Sequence, residues 1–243
     1  VTFSIVARCP RTFRLGVAVA TAVPAVGSMC PFVRAGVGAV STQSWVNPYL
    51  ALDALEHIKG GLPAPEALAA VMARDDGREL RQVGMVDAAG GAAAWSGTAC
   101  TPWFGHEVGD GFTVQGNMLT GPEVIAAMAG AYRASNGAPL DERMMRALEA
   151  GDAAGGDRRG RQSASLCLYD TELYPALDLR VDEHAAPVAE LRRILEIARL
   201  QLVPFVDGMP RRGASPGPAP AAVTAMLALP PPARPGGGGS GPA

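Results

Sequence analysis

Thr2 stands second in the sequence, and a threonine in that place can do chemistry if it becomes the chain's first residue. An N-terminal threonine carries nucleophile and base together: the hydroxyl attacks a carbonyl carbon while the free α-amine takes its proton, directly or through a water. The pKa of an α-amine is about 7.7–8.0, so it needs little tuning to act as a base at neutral pH. This chemistry requires that Val1 be removed. A valine at position 1 is read here as a start codon rendered literally, the initiator methionine being cut away because a small threonine follows. The plainer reading of Thr2 is a β-prone residue that opens a strand.

Attack on a carbonyl also needs hydrogen-bond donors aimed at the developing oxyanion. Gln43, at the end of a strand, and Asn117, in Gln115-Gly116-Asn117, offer side-chain amides for that role. Asn117 reads equally well as a turn asparagine tolerant of left-handed geometry. The sharpest polar feature is the loop Gly155-Gly156-Asp157-Arg158-Arg159-Gly160-Arg161, with Ser163 just beyond it. Its arginines, Arg161 above all, could grip a substrate carboxylate bidentately. The same loop also reads as a solvated basic turn, or as an arginine contact across a dimer interface. Arg34 adds positive charge but cannot act as a base near neutral pH. Asn47, before Pro48, shapes a turn into a helix.

Other chemistries find little support. Cys9, Cys30, Cys100 and Cys167 are scattered, and His57, His106 and His184 make no ligand spacing, so no metal is expected. The cysteines read as small buried apolar residues, and His184, after Asp182-Glu183, as a surface residue. Lys59 is the single lysine, and beside Gly60-Gly61 it reads as serving a helix C-terminus. There is no G-x-S-x-G, no phosphate-binding G-x-x-x-x-G-K-[ST] and no H-E-x-x-H. A net charge of −2 gives no global bias toward nucleic acid or anionic membrane. No apolar run is long enough to span a bilayer, and no signal peptide is visible, which makes the cytoplasm the expected location.

The elements that must position these residues follow from periodicity. Thr2 to Ala7 alternates as a strand, with Thr2, Ser4 and Val6 on one face and Phe3, Ile5 and Ala7 on the other. Leu15 to Ala20 returns as its hairpin partner, and Ala35 to Gln43 supplies a further strand or strand pair. Leu52, Leu55 and Ile58 mark a helix stopped by Gly60-Gly61, and Pro65 opens a second. Gln82–Asp87 and Ala92–Ser96 flank a tight turn. Phe112 to Gln115 is a short strand, Pro122 opens a helix, and Leu140 to Ala150 forms another closed by Gly151. Strands at Ser163–Tyr169 and Ala176–Val181 precede a last helix from Pro187. Helix pairs inserted between groups of strands predict an α+β, four-layer αββα sandwich, two stacked antiparallel sheets flanked by helices. It occupies residues 1–207, and residues 208–243, rich in proline, glycine and alanine, are expected to be a disordered tail.

Several stretches together resemble the DUF1028 family. They are Thr2–Arg8, Leu15–Ala20, Ala25-Val26-Gly27-Ser28, Arg34–Val40 with Thr42-Gln43, Gln115–Leu119, Gly155–Ser163 and Leu179–His184, in family order from residue 2 to about 203. The resemblance implies an N-terminal-nucleophile (Ntn) hydrolase-like fold of the proteasome-subunit type, and no defined substrate. With it, Thr2, Gln43 and Asn117 stand as the candidate catalytic group, and Ser28, Arg34, Asn47, Asp157, Arg161 and Ser163 as candidate substrate contacts. One departure is plain: where such proteases carry an aspartate after the second strand, this chain reads Ala20-Thr21-Ala22-Val23, and no lysine follows nearby. The amine of Thr2 is left as the obvious base. The expected activity is cofactor-independent hydrolysis of a small amide or cyclic amide, by a homo-oligomer (a dimer) without nucleic-acid or membrane partners. The rival expectations are a catalytically silent Ntn-fold protein that binds a small acidic metabolite, and a homo-oligomeric structural protein.

Overall fold

The computed structural model describes residues 2–215 and 217–241, so the expectation about Val1 lies outside the described residues. Strands β1 (Thr2–Arg8) and β2 (Leu15–Thr21) form the hairpin read from the sequence, paired from Thr2↔Thr21 to Arg8↔Leu15. In the smaller sheet, β3 (Pro31–Arg34), β4 (Gly38–Ser44), β5 (Arg81–Asp87) and β6 (Ala92–Ser96) lie side by side in that order. The hairpin is central to a six-stranded sheet completed by β7 (Gly105–Gly109), β8 (Phe112–Asn117), β9 (Ser163–Tyr169) and β10 (Leu177–Val181), in the order β10-β9-β2-β1-β8-β7. The pairings in both sheets are antiparallel.

Helices α1 (Pro48–Lys59) and α2 (Ala64–Met72) cover the smaller sheet. Helices α3 (Glu123–Ala134), α4 (Leu140–Ala153) and α5 (Pro187–Asp207) cover the larger one. The result is the four-layer αββα sandwich that the order of elements implied. Alternation along β1 explains its double burial. Phe3, Ile5 and Ala7 join Val124, Met128, Met144 and Leu148 in the core under the helices. Val6, on the other face, packs with Val17, Ala39 and Val86 between the sheets. Each large apolar side chain withdrawn in this way contributes about 1.5–3 kcal/mol.

Two local expectations change. β7 was not foreseen: it is a short edge strand between glycines, with an exposed His106 and Val108 and no apolar run to mark it. Gly151 does not close α4, which continues to Ala153. It is a contact residue instead, since a Cβ there would stand 2.7 Å from the Met128 side chain. Beyond Gly208 lies a helix, α6 (Ala221–Ala228), none of whose residues is buried. Its alanine-rich run has the best intrinsic helix propensity. Further on, the Gln201 amide donates to the carbonyls of Pro235 and Gly237, which holds that stretch against α5.

Candidate functional site

Antiparallel pairing of successive strands sends the sandwich's connections to two different ends. The hairpin turns β1–β2, β3–β4, β5–β6, β7–β8 and β9–β10 gather at one end. The other end receives the start of β1, the ends of β2, β4 and β8, the starts of β5 and β9, and the connections to and from the helices. Thr2 lies there, on the face of β1 that looks between the sheets, and is only 6% exposed. Loops carry function most readily where a rigid scaffold assembles them.

Around Thr2 the space between the sheets is lined by amides and hydroxyls. The Thr2 Oγ1 is 3.2 Å from the Oγ1 of Thr21, its partner in register. Gln43 reaches from β4 to donate through Nε2 to the Thr2 carbonyl (3.2 Å), the Gln82 Oε1 (2.8 Å) and the Gln115 carbonyl (3.4 Å). Its Oε1 accepts from Ser4 Oγ at 2.7 Å. Gln82 Oε1 accepts a second bond, from Asn117 Nδ2 at 2.9 Å, while its Nε2 donates to Ser96 Oγ and the Gly116 carbonyl, each at 2.8 Å. Ser96 continues to His106 Nδ1 at 2.9 Å, and desolvation holds that imidazole below its ordinary pKa. Gly84 makes room for the network: a Cβ there would fall 2.0 Å from Gln115 Oε1.

Two left-handed residues terminate strands here. Ser44, the last residue of β4, has φ +70°, and Met118, the first beyond β8, has φ +48°. Each follows a buried amide, Gln43 or Asn117, and turns the chain aside at once. Non-glycine residues in this region store strain of roughly 1–3 kcal/mol, and such strain collects at functional sites. The partners of Thr2 and of the amides named here are neutral. Burial pushes the thiols of Cys30 and Cys167 up to about 12, so neither is poised as a thiolate.

The residues singled out from the sequence separate into two groups. Thr2, Gln43 and Asn117 come together, and Asp157 lies beside them. Its carboxylate accepts from the backbone of Ala22 at 2.9 Å and of Arg159 at 2.8 Å, which fixes the loop to the end of β2. Gly156 packs against the Phe3 ring. Ser163 Oγ is engaged by the Val23 carbonyl and the Val26 amide, so it shapes the β2–β3 connection. Ser28 bonds its own turn at the Ala25 carbonyl. Asn47 caps α1 by accepting from the Tyr49 amide at 3.1 Å. Arg34 lies toward the far end of the smaller sheet, opposite Gly38 and ion-paired to Glu56 of α1. Arg161 is committed to Asp152 at 2.6 Å. Of the three arginines in this loop, Arg158 is the one without a side-chain partner among the described residues; it is exposed and its backbone N–H bonds the Met118 carbonyl at 3.3 Å. Gln82, Gln115, Ser4 and Thr21 are site residues that the sequence did not single out.

Residues 2–191 match the family described as a family of unknown function, DUF1028. The chain belongs to the DUF1028 family. A crystal structure of a DUF1028 protein from Silicibacter pomeroyi is similar to this chain at 29% identity and a TM-score of 0.75, over 81% of this chain and 88% of that one. Anbu (ancestral beta-subunit) from Yersinia bercovieri aligns at 12% identity and a TM-score of 0.38, over 87% of the present DUF1028 chain and 100% of its own. The Anbu (Gly-1) mutant from Hyphomicrobium sp. strain MC1 aligns at 10% identity and a TM-score of 0.39, over 88% and 100%. No curated protein matches the chain. Among the described residues of this DUF1028 protein, no helix is long and apolar enough to cross a membrane.

Proposed function

We propose that this DUF1028 protein is an Ntn-type amidohydrolase whose nucleophile is Thr2 and whose substrate is a small amide or cyclic amide carrying a carboxylate. The observation that carries the reading is the placement of Thr2, buried at the end where the loops converge, with its hydroxyl against the neutral Thr21 hydroxyl and its backbone carbonyl held by the Gln43 amide. No carboxylate or lysine contacts Thr2 among the described residues, so the proton acceptor in this proposal is the α-amine of a mature Thr2.

The steps balance without a cofactor. Thr2 Oγ1 adds to the substrate carbonyl carbon and its proton passes to the α-amine. The C–N bond breaks as that proton moves to the leaving nitrogen, and the acyl group remains on Oγ1 as an ester. Water then hydrolyses the ester, which releases the acid and restores the hydroxyl. Asn117 is the better oxyanion donor of the two proposed amides: one N–H of its Nδ2 serves Gln82, whereas Gln43 Nε2 already faces three acceptors. Gln43 is assigned to positioning β1. Arg158, exposed and unpaired beside Met118, takes the substrate carboxylate in place of Arg161.

The test is intact mass and N-terminal sequencing of protein expressed from its natural start without an N-terminal tag, followed by labelling with an electrophilic β-lactone. The expected result is a chain beginning at Thr2 that gains one label, with no label on Thr2→Ala. A retained residue before Thr2, or equal labelling of the variant, overturns the nucleophile and leaves the silent binding protein as the reading in force.

A further inference from the structure

The hairpin end of the larger sheet, remote from Thr2, holds a hollow of about 290 Å³ between the α3–α4 turn and the β1–β2 and β7–β8 turns. One wall is Arg143, in the first turn of α4 and only 8% exposed. A buried cation is normally matched by a carboxylate. Arg143 has none among the described residues. Its guanidinium stacks 3.8 Å from the Tyr132 ring and gives Nε and Nη2 to one carbonyl, that of Tyr132, at 3.4 and 3.3 Å. Nη1 has no protein acceptor among the described residues.

The surroundings share the imbalance. Arg11, on the adjoining β1–β2 turn, donates to the carbonyls of Gly137 and Ala138 and has no carboxylate partner among the described residues. Arg8, at the end of β1, has a buried Nε without a hydrogen-bond partner among the described residues and a guanidinium 4.8 Å from the Phe13 ring. Arg133 is matched by Glu107. Two arginines without a carboxylate among the described residues, Arg8 and Arg143, therefore line the hollow together with one unpaired carboxylate, Asp110. The rings of Phe112 and Tyr132, 4.7 Å apart, give the hollow an apolar side, and Asn136 adds an amide.

We propose that this hollow is a second binding site, for a small organic oxyanion, a carboxylate or a phosphate monoester. The volume corresponds to roughly ten waters, hence to a ligand of about ten non-hydrogen atoms. Arg143 supplies the charge-assisted contact, the aromatic pair accepts the ligand's carbon skeleton, and Asp110 favours a hydroxyl or ammonium on its far side. The site stands apart from the Thr2 chemistry, because Thr2 and Arg8 occupy opposite ends of β1, about 20 Å apart at the usual strand rise.

Calorimetric titration of the full chain at fixed ionic strength, with succinate in one series and phosphoglycolate in the other, tests the proposal. Saturable binding of one or both is expected, and the tighter ligand identifies the head group. Asn136→Asp, an exposed change that sets a carboxylate at the hollow, is expected to weaken binding about tenfold, and Asp110→Asn to tighten it about threefold. Arg143→Gln is expected to abolish it, but the two surface variants carry the test if that variant fails to fold. No saturable heat with either anion, or binding that Asn136→Asp and Asp110→Asn leave unchanged, overturns the site.

Discussion

The side-chain amide of Gln82 has its oxygen facing two donors, Gln43 and Asn117, and its nitrogen facing Ser96 and Gly116. Removing such a hub leaves buried partners desolvated and unpaired, which costs more than the hydrogen bonds themselves contributed. Gln82→Leu is therefore expected to lower unfolding free energy by about 2–4 kcal/mol in urea titration; a change under half a kcal/mol would mean that the network is not held as drawn. Gln43 and Asn117 separate by the same logic. Gln43→Ala unties β1 from β4 and should be costly in stability. Asn117→Ala removes one bond, and its main expected effect is a roughly hundredfold slower acylation of Thr2 by the β-lactone, the scale of a lost oxyanion donor. Equal and mild effects of both variants on stability and labelling would contradict the division of roles.

Strands and helices carry a different balance, in which charge is prominent. Glu142 of α4 accepts from Arg192 and Arg199 of α5 and from Arg146 of its own helix. The Arg192 hydrogen bond is the largest cause, partly opposed by burial and reinforced by Arg199 and Arg146, and it lowers the carboxyl from 4.5 to about 2. Because the folded value is depressed, the stabilisation is complete above the unfolded value and is lost as pH falls from 4.5 through about 2. Glu142→Gln should thus lose about 1–2 kcal/mol at pH 7, allowing for solvent screening, and converge on wild type below the folded pKa. A gap that stays constant across acid titration would assign the loss to packing.

The same elements show what was legible beforehand. The Thr2–Ser4–Val6 face was readable from alternation, and so were the hairpins and helix pairs, because one face of each element had to be apolar. Gln82 was not, since a glutamine in an alternating strand looks solvent-facing until a second sheet covers it. A signal was nevertheless present. Towards the Thr2 end, the faces between the sheets change from apolar to polar on each of several strands: Val6 to Ser4 and Thr2, Ala39 to Ser41 and Gln43, Val86 to Gly84 and Gln82. Only the pairing registers place those changes at one depth, and registers between non-adjacent segments are not written in any single stretch. The partners of Arg34 and Arg161 were not legible for a related reason. An arginine's partner, Glu56 or Asp152, depends on which helix end lies beside it.

For the molecule as a whole, the hairpins at one end and the helix-bound connections at the other leave the residues beyond Gly213 outside both. α6 has no buried residue, and the later contacts are those of Gln201 with Pro235 and Gly237 and of Gly236 and Gly238 with Leu200 and Ile197 of α5. Leu200 stays largely exposed even so. Closer in, Tyr174 bonds the Pro210 carbonyl and the Arg212 amide bonds Glu172, so the stretch up to Gly213 belongs with the β9–β10 turn. A chain ending at Gly213 loses little buried apolar area, and the entropy of ordering the removed residues is no longer opposed to folding. It should unfold in a single transition within about 1 kcal/mol of the full chain, since so few apolar contacts are removed. Labelling at Thr2 and oxyanion binding at the Arg143 hollow should both survive. If truncation broadens the transition or abolishes either, the tail is an integral layer over α5, and the sandwich does not stand on the two sheets and α1 to α5 alone.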